Sequence, residues 1–127
     1  MARLISAMRN PHVRSIGHPT GRLLGRRDPY EVDIDELARV AAETGTCLEI
    51  NGSADRLDLT AQAARRAAAL GAKLVVCSDA HSPGDFENLG FGIGEARRGW
   101  LRAADVANTM PWETVQQLPA ASSGRPS

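Results

Sequence analysis

K-L-V-V-C-S-D-A-H-S-P, Lys73 to Pro83, is the stretch that decides how this 127-residue chain is read. Leu74 to Cys77 is a short apolar run, with the length and composition of a strand buried on both faces. The run stops in Ser78-Asp79-Ala80-His81, and Pro83-Gly84 then turns the chain. Asp79 and His81 stand two residues apart, so on an extended backbone they point the same way. A carboxylate and an imidazole converging at the mouth of a buried strand are how α/β proteins present metal ligands at the carboxyl edge of a sheet. Taken alone, D-x-H reads more simply as a capping aspartate and a surface histidine; a second site of the same kind upstream would change that.

Working outward, Val13 to Gly17 is expected as a short strand, running into the loop Gly17-His18-Pro19-Thr20-Gly21-Arg22. His18 therefore holds the place that Asp79 and His81 hold later, just past a strand and before a turn. Parallel strands gather their carboxyl ends, so two such strand ends support one another. Arg22, Arg26 and Arg27 come next, and read either as a solvated loop or as a phosphate clamp, with Arg22 nearest His18. Thr46 to Ile50 is the strand between, continuing into Asn51-Gly52. Glu49 and Asn51 share one of its faces. A carboxylate inside an apolar strand needs a partner. Glu49 either reaches into a polar barrel interior or sits near a solvated strand end.

The helices fall between these strands. Met1 to Asn10 carries Leu4, Ile5 and Met8 at helical spacing and ends at Asn10-Pro11. Asp33 to Thr44 opens with the capping spacing of Asp33 and Glu36, buries Ile34, Leu37, Val40 and Ala41, and closes at Gly45. An alanine-rich helix runs to about Leu70, capped by Asp58 or Thr60 and closed by Gly71. Arg56 and Asp58 are expected to pair locally. The order helix, strand, helix, strand, helix, strand is the βαβ signature of a parallel sheet. After Pro83, Asp85 to Leu89 is expected as a helical turn, and Gly90, Gly92, Gly94 and Gly99 as breaks in the segment beyond it. That glycine string lies outside the strand–turn context of a dinucleotide loop, so no nucleotide cofactor is expected. Ala103–Asn108 and Pro111–Leu118 read as two short helices, the second with Pro111 at its first position, packed on by Trp100 and Trp112.

The bulk numbers bound the function class. The chain is 43% hydrophobic and 24% charged, with 15 basic against 15 acidic residues and a formal charge of zero. That composition is globular, and broad electrostatic capture of nucleic acid is not expected. Cys47 and Cys77 lie in apolar runs as small hydrophobes, too few for a disulfide framework. No stretch approaches a membrane span or a signal peptide, so a cytoplasmic setting without a membrane partner is the expectation.

G-H-P-T-G-R at Gly17–Arg22, L-E-I-N at Leu48–Asn51, R-L-D-L at Arg56–Leu59, S-D-A-H at Ser78–His81 and A-R-R-G-W at Ala96–Trp100 stand in order. Together they resemble the C-terminal part of the PHP (polymerase and histidinol phosphatase) domain of bacterial family X DNA polymerases. The resemblance implies an α/β fold: the C-terminal portion of a distorted, TIM-like (β/α)7 barrel, with about three parallel strands and their helices over residues 1–118; residues 119–127, small and polar, are expected as a flexible tail. It implies a trinuclear zinc or manganese centre and phosphoester hydrolysis: a 3′-5′ exonuclease or 3′-phosphatase in the polymerase-linked branch, histidinol phosphatase elsewhere. On this chain, His18, Asp79 and His81 would be metal ligands and catalytic residues, Arg22 a phosphate contact, and Glu49 and Asn51 residues shaping the substrate pocket. Asn51-Gly52-Ser53-Ala54-Asp55 departs from the family's N-A-N-P pattern. The H-x-H pair of the family's first strand has no counterpart here. The expectation is a segment of a larger enzyme, inactive alone, whose partners are the rest of the barrel, upstream polymerase domains and, through them, DNA. The rivals are a non-catalytic module that self-associates through open strand edges and a small-molecule phosphatase.

Overall fold

The computed structural model describes residues 1–119. Three parallel strands, β1 (Ser15–Ile16), β2 (Cys47–Asn51) and β3 (Leu74–Cys77), lie in the order β1-β2-β3. Helix α1 (Ala2–Met8) precedes β1, α2 (Ile34–Thr44) and α3 (Ala61–Ala69) form the two crossovers, and α4 (Leu89–Arg98) comes after β3. A single turn, α5 (Trp112–Val115), lies near the end. The register sets Ile16 beside Leu48, Leu48 beside Leu74 and Ile50 beside Val76. These five side chains join Leu37, Ala38, Val40, Ala41, Ala64 and Ala67 in one core. The helices pack side by side, α1 on α2, α2 on α3 and α3 on α4. Sequential strand order under one helical layer is compatible with part of a barrel.

Local chemistry sets the helix limits. Asp33 caps α2 by accepting a hydrogen bond from the Glu36 N–H at 3.1 Å, and Gly45 closes it in the left-handed region at φ 74°. Thr60, rather than Asp58, caps α3 through the Ala63 N–H at 3.1 Å. The buried Glu95 of α4 accepts the Ala61 N–H at 2.9 Å, placing a carboxylate at the positive end of α3.

Several expectations are corrected. The first strand shrinks to two residues. Leu74 and Val76 are buried, but Val75 and Cys77 on the opposite face of β3 are only half-buried. Among the described residues the helices cover the other face. The glycine-rich stretch forms α4 instead of breaking, because glycine is what lets this helix come close. A Cβ on Gly92 would sit 2.8 Å from Val76 Cγ1 and 3.4 Å from the Gly52 Cα, so tertiary packing outweighs low helix propensity. Trp100 and Trp112 do not pack the C-terminal segment down; they are 74% and 67% exposed. The Arg65 guanidinium instead lies 4.6 Å over the Trp100 ring. Ala103–Asp105 and Ala107–Thr109 are two 3₁₀ turns, and Pro111 is the N-cap of α5. What fastens this segment is Asn108. Its side-chain amide donates to the Val76 carbonyl at 2.7 Å and accepts the Val76 N–H at 3.1 Å, closing the outer edge of β3 as a neighbouring strand would. Of the tail expected as flexible, residues 120–127 lie outside the described residues. No helix among the described residues is long and apolar enough to cross a membrane.

Candidate metal centre

Alternation along the strands puts Ser15, Cys47, Glu49, Asn51, Val75 and Cys77 on the face away from the helices. His18 lies just past β1, and Asp79 and His81 just past β3, so all three stand at the carboxyl edge of one parallel sheet, flanking β2. Strands β1 and β3 are two spacings apart, roughly 10 Å between backbones. The His18 and Asp79 backbones are both left-handed, at φ 27° and φ 55°, a conformation non-glycine residues seldom adopt.

His81 is oriented by its own loop. Its Nδ1 is hydrogen-bonded to the Asp79 carbonyl at 2.7 Å, and its backbone N–H donates to Asp85 at 3.1 Å. A carbonyl can only accept, so Nδ1 carries the proton and Nε2 keeps its lone pair for a ligand. Among the described residues the carboxylate of Asp79 and the imidazole of His18 make no hydrogen bond or ion pair with another side chain. Two imidazole nitrogens and one carboxylate are a donor set that suits zinc or manganese. The described residues hold no group of three or more histidine, cysteine or acidic side chains placed to hold an ion by themselves. The donors thus fit as contributions to a centre but do not complete one.

The loop bearing His18 is bolted to the chain that doubles back after β2. Asn51 and Asp58 pair in an antiparallel bridge. The Asp58 carboxylate accepts the Thr20 N–H at 3.0 Å and the Thr20 hydroxyl at 2.8 Å, in place of the expected partner Arg56. Burial pushes the Asp58 carboxyl up from its ordinary value, against the opposing pull of the Thr20 bonds. Arg22, expected as a phosphate contact, donates from Nε to the Arg56 carbonyl at 2.7 Å and from Nη2 to the Leu57 carbonyl. Those two bonds make it a strut between G-H-P-T-G-R and R-L-D-L and leave three of its five guanidinium N–H groups outside them. Thr20 and Asp58 were not foreseen as a pair. The available signal was an aspartate between two leucines, which must find a partner when buried.

Glu49 lies at the centre of this rim. Its Oε1 accepts the backbone N–H of His18 at 2.8 Å and the Asn51 amide at 3.0 Å. Cys77 stands on the same face, in register with Asn51 on the neighbouring strand, so its thiol shares the surroundings of the Glu49 carboxylate. Burial first, then Glu49, pushes that thiol up to about 11, so Cys77 stays protonated at neutral pH. Asn51 is fully buried, its Oδ1 taken by the Ser53 N–H at 2.9 Å; it shapes the rim from within.

No family model matches the chain. Over 116 residues, 91% of its length, the chain is 41% identical to the DNA polymerase/3′-5′ exonuclease PolX of Bacillus subtilis (strain 168), of which it covers 20%. Over 61% of its length it is 34% identical to probable phosphatases of Thermoanaerobacter sp. (strain X514) and Thermoanaerobacter pseudethanolicus, covering 32% of each. The chain therefore spans a fifth to a third of the length of these curated relatives.

Proposed function

From the premise that this chain is kin to the C-terminal part of the PHP domain of bacterial family X DNA polymerases, we propose that it is one sector of a metal-dependent phosphoesterase. The observation that carries this reading is the placement of His18, Asp79 and His81 on the carboxyl edge of a single parallel sheet. In the assembled barrel His18, Asp79 and His81 would hold divalent ions, zinc or manganese, together with donors from other strands. Such ions supply polarisation of the phosphoryl oxygens and a hydroxide at neutral pH. Asp79 contributes a hard oxygen, and its carbonyl fixes the tautomer that leaves His81 Nε2 free to bind. With some 10 Å between β1 and β3, His18 and the Asp79–His81 pair would contribute to such a centre from different strands. This sector alone offers too few ligands per ion for tight binding. The 127-residue chain by itself is accordingly expected to be inactive.

The substrate we favour is the 3′ end of DNA, cleaved by 3′-5′ exonuclease or 3′-phosphatase chemistry in a cytoplasmic repair setting, because the longest match is to a polymerase-linked exonuclease. The partners are then the rest of the barrel and the polymerase, and DNA through them. The probable phosphatases favour a second reading, a small phosphomonoester substrate. The test is hydrolysis of a 3′-phosphorylated oligonucleotide and of histidinol phosphate by the full-length polypeptide carrying this segment. Asp79→Ala is expected to lower metal-dependent turnover by more than about 100-fold. Unchanged turnover would end the assignment, and preference for the small ester would select the second reading.

A further inference from the structure

Glu49 belongs to the same rim but is poorly suited to touch substrate, since a carboxylate repels phosphoryl oxygens. Resting on the reading above, we propose that Glu49 is the positioning residue of this half-centre, holding the His18 segment in register with the strand end that bears Asp79 and His81. Its carboxylate accepts the His18 N–H at 2.8 Å on the β1 side, while its own strand is paired with β3, Glu49 beside Val75 and Asn51 beside Cys77. The Asn51 amide, at 3.0 Å, steadies it from its own strand.

The His18 backbone needs such a hold. At φ 27° it sits where side-chain-bearing residues are strained, and a hydrogen bond from its N–H to the Glu49 side chain offsets that strain. The preceding Gly17 passes so near that a Cβ there would lie 3.6 Å from Glu49 Oε1. Release of the bond would let His18 relax toward an ordinary conformation and swing its imidazole away from the rim. The interaction needs an acceptor oxygen at the right reach and no negative charge, which separates it from a ligand role.

The experiment compares Glu49→Gln, Glu49→Leu and Glu49→Asp in the 127-residue chain by NMR, with Mn²⁺ as a paramagnetic probe that reports weak binding. In Glu49→Leu the His18 amide is expected to exchange at least about 10-fold faster, while Leu48 and Leu74 amides keep their protection. Glu49→Gln, which retains the acceptor, is expected to restore the slow exchange. Mn²⁺ should broaden the His18 and His81 imidazole signals in wild type and Glu49→Gln, but only His81 in Glu49→Leu. Should Glu49→Leu fail to fold, Glu49→Asp, one methylene short, is expected to give the same selective loss at His18. His18 exchange and broadening at wild-type levels in a folded Leu or Asp variant would overturn the positioning role alone. Absence of broadening at either imidazole in the wild-type chain would overturn the metal reading and this proposal with it.

Discussion

The two faces of the three-stranded sheet are built from the same strands by opposite rules. On the helix side Ile16, Leu48, Ile50, Leu74 and Val76 meet α2, α3 and α4 in a continuous apolar core. On the other side stand Glu49 and Asn51, joined by a hydrogen bond, with Cys77 beside Asn51 on the next strand. One residue of shift along a strand moves a side chain from one regime to the other. Apolar packing is concentrated on the helix side and polar side chains on the other, so substitutions at adjacent positions of one strand should separate the two.

The largest expected effect on stability is at Leu74. Leu74→Ala removes a fully buried side chain and should cost about 2–5 kcal/mol in urea unfolding. Val75→Ala, next to it but half-buried on the polar face, should cost under about 1.5 kcal/mol. Equal losses at the two positions would break the contrast.

Asp58 sharpens it from the rim side. Asp58→Ala strands the Thr20 N–H and hydroxyl and should cost about 1–3 kcal/mol. Its folded pKa is raised by burial, so its contribution is fully present below the ordinary carboxylate range and is lost as pH rises through the folded value. Thermal unfolding tracked from pH 4 upward should carry that slope in wild type, and Asp58→Asn should flatten it.

The smallest effects test why a glycine-rich segment is helical. Gly92→Ala forces a methyl to 2.8 Å from Val76 Cγ1 and should destabilise by about 1 kcal/mol or more. At Gly94 a Cβ meets nothing within 4 Å, and Gly94→Ala should stabilise by roughly 0.5–1 kcal/mol. The opposite signs, measured by thermal melts, distinguish close packing from mere tolerance of glycine.

Much of this architecture was legible from residue patterns. The apolar runs at Cys47 and Leu74, the cap at Asp33 and the closures at Gly45 and Gly71 are local chemistry, and they stand where the sequence places them, whereas the sequence left the cap of α3 open between Asp58 and Thr60. The rim could be read as far as residue type: His18, Asp79 and His81 come just after strands whose parallel pairing was expected. Partners across the fold could not be read. That Arg22 binds the carbonyls of Arg56 and Leu57 depends on a loop more than thirty positions away, and Trp100 looks like a packing residue until its backbone turns left-handed at φ 60°.

The amino-acid order by itself determined the alternation of helices and strands, the apolar face of each strand and the donors at two strand ends, because these arise from periodicity and neighbours a few residues apart. Only the tertiary structure decided that Glu49 answers His18 thirty-one positions away, that Asp58 answers Thr20, and that Asn108 closes the edge of β3. Such bonds depend on which segments the folded backbone brings within about 3 Å, a distance that sequence separation does not encode.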